Sequence, residues 1–215
     1  MLNVYLKNKE TSQEMWVNFP LRSEDIQNLS ENFEKGTFAE ILAAETSLND
    51  LHAHLKGKFF DSGNTRYELE YLEKRIEGLT DTEKDIFTAA LNIEKPISVM
   101  EIVNLSCNLD KLKLFPEVND TTQLGEYLLG KDGQSIADSD PTEIGEKYFK
   151  SHAGCFSESG YVMRTGEPLQ VIYNGKELPD PAFERNSVFI LHLYTSQYAE
   201  EHWGTYAISL PQRKS

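Results

Sequence analysis

The sequence lacks any run of the eighteen or so apolar residues that would be needed to cross a lipid bilayer. It has only two cysteines, Cys107 and Cys155, which are too few for a disulfide framework and fit a reducing compartment. The first residues contain no basic segment followed by an apolar run, so we expect no signal peptide. Together these absences predict a cytoplasmic protein.

The motifs of common enzyme and metal sites are missing as well. There is no glycine-rich phosphate loop, and Ser157 and Ser159 lie near Gly160 without the pattern of a nucleophile elbow. His52 and His54 are two positions apart, so on a helix they would point about 200° from each other and could not share a metal ion. We therefore expect a protein that is not an enzyme and needs no cofactor. An enzyme whose site these motifs do not describe is the alternative.

Basic residues are scarce relative to acidic ones. The chain has 35 Asp and Glu against 21 Lys and Arg, which gives a net charge of -14. Such an excess argues against direct binding to nucleic acid or an anionic membrane and favours a basic partner. The last forty residues are nearly neutral, whereas Glu117 to Glu146 hold eight acids and the single base Lys131. The acidic surplus is therefore concentrated before the tail.

This density of negative charge is comparable with that of DNA. B-DNA carries one charge per roughly 1.7 Å of its axis, so a net charge of -14 matches about 24 Å of duplex. Capping of helix N-termini and solubility explain many acids, but they do not explain the shortage of bases. The surplus therefore fits a surface that copies the electrostatic field of DNA for a DNA-binding protein, and it also fits an acidic protein of ordinary function.

Hydrophobic periodicity predicts a mixed fold. Alternating apolar residues predict a β-hairpin at the start, and Phe38 to Ala44 fits a strand or a helix. After Ser47 the spacing becomes helical, with Glu70, Glu73 and Glu77 as an acidic stripe beside the apolar one. Further along, Tyr161–Met163 and Leu169–Tyr173 flank a turn signal and are predicted as a hairpin.

These patterns predict an α+β protein in four parts. Residues 1–46 form a small antiparallel β/α part, and residues 47–108 form a central helical bundle. Residues 109–175 form a C-terminal α+β part. Residues 176–215 add a β-rich extension, with strands expected at Val188–Tyr194 and Thr205–Leu210.

Three stretches carry a resemblance to a known family. The opening has NVYLKN followed by MWVNFP, and the middle has LNDLHAHL followed by LTDTEKDIFTAAL. The third stretch has DTTQLGEYLL followed by ESGYVMRTGEPLQVIYNG. Over residues 2–175 their order and pattern resemble the ArdA-type antirestriction proteins, which are carried on mobile genetic elements such as conjugative plasmids and conjugative transposons. The first hairpin loop is shorter than in that family, and the residues from Lys176 onward extend beyond its usual end.

The resemblance implies a function as well as a fold. It implies an elongated three-part DNA mimic, often a homodimer, that blocks the DNA-binding groove in the methyltransferase core of a type I restriction–modification enzyme. The alternative is an acidic adaptor or inhibitor of another basic DNA-binding or defence protein. The acids expected on the binding surface are Glu117, Asp120, Glu126, Asp132, Asp138, Asp140, Glu143 and Glu146, followed by Glu70, Glu73 and Glu77.

Overall fold

The structure is a computed structural model that describes residues 1–33, 38–131 and 139–181, together with two strands of the tail. The chain divides into two compact units, Met1–Leu178 and Pro179–Ser215. Helices and antiparallel sheets are mixed in the first unit, which confirms the predicted α+β class. The three boundaries drawn from the sequence between four parts stay predictions.

A four-stranded antiparallel sheet opens the first unit, with the order β2-β1-β3-β4. Its strands are β1 (Leu2–Asn8), β2 (Glu14–Phe19), β3 (Phe38–Glu45) and β4 (Phe59–Asp61). The predicted hairpin is confirmed, and the segment from Phe38 that fitted a strand or a helix is a strand. Leu2, Val4 and Leu6 are fully buried because alternate side chains of a strand point to the same face.

Five helices share a common apolar core with this sheet. They are α1 (Ser23–Asn32), α2 (Leu51–Leu55), α3 (Asn64–Glu77), α4 (Asp81–Glu94) and α5 (Val99–Ser106). The α4 helix begins at the capping box that its sequence predicts. The Glu83 N–H donates to Thr80 Oγ1 at 3.3 Å, and the Thr80 N–H donates to Glu83 Oε2 at 2.9 Å.

A second antiparallel sheet and a pair of helices complete the first unit. The strands are β5 (Leu112–Phe115), β6 (Gly154–Ser157) and β7 (Gly160–Arg164), in the order β5-β7-β6, and the helices are α6 (Thr121–Lys131) and α7 (Pro141–Ser151). A small apolar cluster around Val118, Leu124 and Tyr161 joins this sheet to the helix pair. The core of the first unit reaches from Leu2 to Tyr173.

The predicted pairing of Tyr161–Met163 with Leu169–Tyr173 is wrong. The neighbours of β7 are β5 and β6, and the later segment is not a strand. Two asparagine side chains take the place of a partner strand. The Asn108 amide exchanges two hydrogen bonds of 2.9 Å with the backbone of Gln170, and Asn104 binds the backbone of Ile172 and Tyr173 at 2.8 Å. The backbone polar groups are thus satisfied without a sheet, as burial requires.

The second unit contains an antiparallel pair of strands, β8 (Ser187–Leu193) and β9 (Tyr206–Pro211). Both strands were predicted, although Tyr194 and Thr205, at the ends of the predicted segments, lie outside the described residues. Within the described part of the chain, no helix is long and apolar enough to span a membrane.

The helices α6 and α7 meet backbone to backbone at two glycines. A Cβ on Gly125 would lie 1.7 Å from the carbonyl oxygen of Pro141, and a Cβ on Gly145 would lie 1.7 Å from that of Thr121. This pairing of positions makes the helices antiparallel. No side chain larger than hydrogen fits at either site, so the two glycines set the distance between the helices.

We predict that Gly145→Ala lowers the free energy of unfolding by about 1–3 kcal/mol, because the added methyl group must push the Thr121 backbone away. Urea denaturation measures the change. Gly130→Ala in α6 is the matched control, since no described atom lies within 4 Å of a Cβ placed there. It should be neutral or stabilising, because alanine favours helix over glycine by up to about 1 kcal/mol. Equal destabilisation by both changes would contradict the close contact.

A buried carboxyl group lies beneath the segment that Asn104 and Asn108 hold. Glu68 on α3 is 5% exposed, and the buried Tyr173 hydroxyl donates a hydrogen bond to it. Burial raises the pKa of Glu68, the nearby charge of Asp61 raises it further, and the hydrogen bond from Tyr173 opposes both. Burial and the Glu68 charge raise the pKa of Tyr173 to about 12. Folding therefore favours the neutral form of the Glu68 carboxyl group.

We predict that Glu68→Gln increases stability at pH 7 relative to the unchanged chain. A raised pKa in the folded state contributes stability that is complete below the pKa of the unfolded chain and is lost as the pH rises through the folded value. Glutamine keeps an acceptor for the Tyr173 hydroxyl but cannot ionise. Urea denaturation between pH 4 and pH 7 should show a difference between the two proteins that grows with pH. A difference that shrinks over this range would contradict the raised pKa.

Candidate partner-binding surface

Most of the acids predicted for the binding surface lie exposed on or beside one helix pair. These are Glu117, Asp120, Glu126, Asp140, Glu143 and Glu146. Glu117 and Asp120 precede or cap α6, and Glu126 lies within it. Asp140 caps α7, and the other two lie along that helix. Asp132 and Asp138, also predicted for this surface, lie outside the described residues.

Local rules of helix formation place two of these carboxylates. Asp120 Oδ1 accepts a hydrogen bond from the Gln123 N–H at 2.8 Å, and Asp140 Oδ1 accepts one from the Thr142 N–H at 2.9 Å. Each therefore satisfies a backbone donor that the helix leaves free at its start. Capping explains the position of these two acids, but Glu126, Glu143 and Glu146 make no such bond.

Bases on α7 offset only part of this charge. Lys150 Nζ lies 2.9 Å from Glu146 Oε2, and both side chains are exposed, so this ion pair is worth little. From Glu117 to Ser151 the sequence has eight acids and three bases, which leaves a net charge of -5. The helix pair is therefore negative even after its own lysines are counted.

The second predicted group of acids does not form a continuous exposed stripe. Glu77 is exposed, whereas Glu70 is half-buried and paired with Lys74 at 3.3 Å. Glu73 is 1% exposed and pairs with the Met1 amino group at 2.7 Å. Its expected place on the surface is therefore wrong. The reason lies in the helix period, because Glu73 is four residues after Leu69 and occupies the inward face of α3.

A group of acids that the sequence analysis missed lines a cleft of about 670 Å³. Asp50 comes from the turn before α2, Asp85 comes from α4 and Glu158 comes from the turn between β6 and β7. Asn92 donates to Asp50 at 2.9 Å, and the hydroxyl of Ser159 donates to Asp85. No described Lys or Arg lines this cleft. The cleft can therefore accept a cationic side chain. The three acids lie far apart in the sequence, so no motif predicts that they come together.

Two comparisons with known proteins find no relative of this chain. A scan against models of known protein families finds no match for the chain, and a search of curated proteins finds no similar one. Where the structure describes the chain, no three His, Cys, Asp or Glu side chains are grouped so that they could hold a metal ion. The chemistry of the exposed carboxylates is thus the feature from which a function can be argued.

We predict that capping and non-capping acids of this surface differ in their effect on stability. Asp140→Ala should lower the free energy of unfolding by about 1 kcal/mol, because Thr142 loses its acceptor. Glu126→Gln should change it by less than about 0.5 kcal/mol, because that side chain is exposed and makes no structural bond. Urea denaturation at one pH and ionic strength compares the two. A large loss from Glu126→Gln would show that its carboxylate has a structural role.

Proposed function

We propose that this protein is a non-enzymatic mimic of DNA that occupies the DNA-binding groove of a type I restriction–modification enzyme. The observation that carries the proposal is the set of six exposed carboxylates on and beside the α6–α7 pair, within a chain of net charge -14. The resemblance of three sequence stretches to ArdA-type proteins supports this choice of target. A groove that binds DNA presents Lys and Arg to phosphates, so it attracts such a surface.

The spacing of the acids indicates what kind of mimicry is possible. Six residues of an α-helix span roughly 9 Å, which is the separation expected along the axis between Asp120 and Glu126. The same length of duplex carries about five charges. The helix pair therefore has the same sign of charge as DNA over a similar length, but it does not match the phosphates one for one. In such a distributed surface, each carboxylate contributes only a small part of the attraction.

The experiment is a competition assay with a purified type I methyltransferase core bound to labelled DNA. Addition of the protein should displace the DNA stoichiometrically. The effect should weaken strongly as salt increases, because the attraction is between solvent-exposed charges. Absence of displacement at micromolar protein, or displacement that salt does not alter, would overturn the proposal.

A matched pair of charge variants locates the binding surface. The first variant combines Glu117→Gln, Glu126→Gln, Glu143→Gln and Glu146→Gln on the helix pair. The control changes four exposed acids elsewhere by the same net charge, with Glu10→Gln, Glu24→Gln, Glu31→Gln and Glu45→Gln.

The first variant should need at least about tenfold more protein for half displacement, which corresponds to about 1.4 kcal/mol. The control should lose much less, because its acids lie outside the proposed surface. Each single substitution within the first set should lose only a fraction of the combined effect. Equal losses from both combined variants would show that net charge alone acts, and complete loss from one substitution would contradict a distributed surface.

A further inference from the structure

A second cavity lies between the α6–α7 pair and the sheet that contains β5 and β7. Its volume is about 220 Å³. An engineered cavity of about 150 Å³ lined by apolar side chains binds benzene, so the space here suits a larger, two-ring aromatic molecule. The cavity is separate from the cleft lined by Asp50, Asp85 and Glu158, and no residue lines both.

Aromatic and apolar side chains form most of the cavity wall. They include Phe115, Tyr127, Leu128, Tyr148, Tyr161 and Met163. The rings of Phe115 and Tyr127 meet edge to face, with their centroids 5.0 Å apart. Rings favour such offset or edge contacts with a further ring. The wall can therefore hold a flat aromatic ring.

The charged groups around the cavity are basic, whereas the protein as a whole has a negative net charge. Lys113, Lys131 and Arg164 line it, and no described Asp or Glu does. Arg164 is already neutralised by two bonds to the Glu94 carboxylate. Neither lysine makes an ion pair with any residue that the structure describes. Lys113 Nζ lies 5.0 Å from the centroid of the Phe115 ring, which places a positive charge beside the aromatic wall.

Tyr161 also lines the cavity, and its hydroxyl lies buried against the backbone of Gly154, where an added Cβ would be 2.0 Å from it. Tyr161 is fully buried, and its hydroxyl makes no hydrogen bond within the described part of the chain. Such a group lowers stability when it is left unsatisfied. Burial raises the pKa of Tyr161 to about 12, so its hydroxyl stays neutral and adds no negative charge beside the lysines of the cavity.

We propose that this cavity binds a small planar aromatic molecule that carries an anionic group. The ring packs against the Phe115 and Tyr127 side of the wall, and the anion lies within reach of Lys113 and Lys131. This site is independent of the proposed function, because it uses bases and rings rather than the exposed carboxylates.

The test uses indole-3-carboxylate as the probe and the neutral indole-3-carboxamide as its matched analogue. Titration of the full ¹⁵N-labelled chain is followed by amide chemical shifts. The carboxylate should move the amides of residues that line the cavity, such as Lys113, Leu128 and Met163. The carboxamide should bind about tenfold more weakly, because it carries no negative charge to attract the two lysines.

Lysine variants separate a built site from general attraction of an anion. The double variant Lys113→Gln with Lys131→Gln should weaken binding of the carboxylate about tenfold, because both cations at the cavity are lost. Lys147→Gln with Lys150→Gln removes the same charge from the exposed face of α7 and should leave binding unchanged. All four lysines are exposed, so the variants should keep the fold, and circular dichroism verifies this.

Several results would overturn the proposal. One is the absence of any shift at millimolar probe. Another is a set of amide chemical-shift changes confined to residues that do not line the cavity. Equal binding of the carboxamide, or equal weakening by both lysine pairs, would also overturn it.

Discussion

Burial of apolar side chains in one core is the interaction on which the rest of the first unit depends. The main core begins at Leu2 in β1, includes residues of α1 to α5 and of both sheets, and ends at Tyr173, while a smaller apolar cluster holds α6 and α7. A net charge of -14 repels itself and weakens any compact state. The apolar core must offset that repulsion before the acids can be held in fixed positions. The acidic surface is therefore possible only because so much of the interior is apolar.

The fold also sorts the charges that the sequence mixes. Bases are found among the acids along much of the chain, yet the larger cleft is lined by carboxylates without a described Lys or Arg. The smaller cavity has the opposite arrangement, with Lys113 and Lys131 and no described acid. Local potentials of opposite sign thus exist within one acidic unit. Net charge describes the long-range attraction of a partner, whereas these local groups decide what fits at close range.

Local signals made the helices and most strands predictable. The pair Thr80 and Glu83 marks the start of α4, and Asp140 followed by Pro141 marks the start of α7, because caps depend only on nearby residues. Residues 169–173 were not predictable, since their partners Asn104 and Asn108 lie more than sixty residues away in sequence. A run of alternating apolar residues looks the same whether a strand or two amide side chains hold its backbone.

The candidate surface was only partly predictable from the sequence. Acids that belong to helix starts, such as Asp120, could be placed on the surface because capping requires partial exposure. Glu73 could have been placed in the interior from its position four residues after Leu69, had the helix period outweighed its charge. The joint placement of Asp50, Asp85 and Glu158 depends on how three distant segments pack, and nothing in their spacing encodes it.

The backbone contact at Gly125 and Gly145 has a consequence for how tightly the helix pair can bind. Helices that touch without intervening side chains have little freedom to slide or rotate against each other, so the backbone positions that carry the carboxylates stay fixed in the unbound protein. Less conformational entropy is then lost on association, and more of the electrostatic attraction is retained as affinity. Gly125 and Gly145 thereby increase the affinity that the surrounding carboxylates can provide.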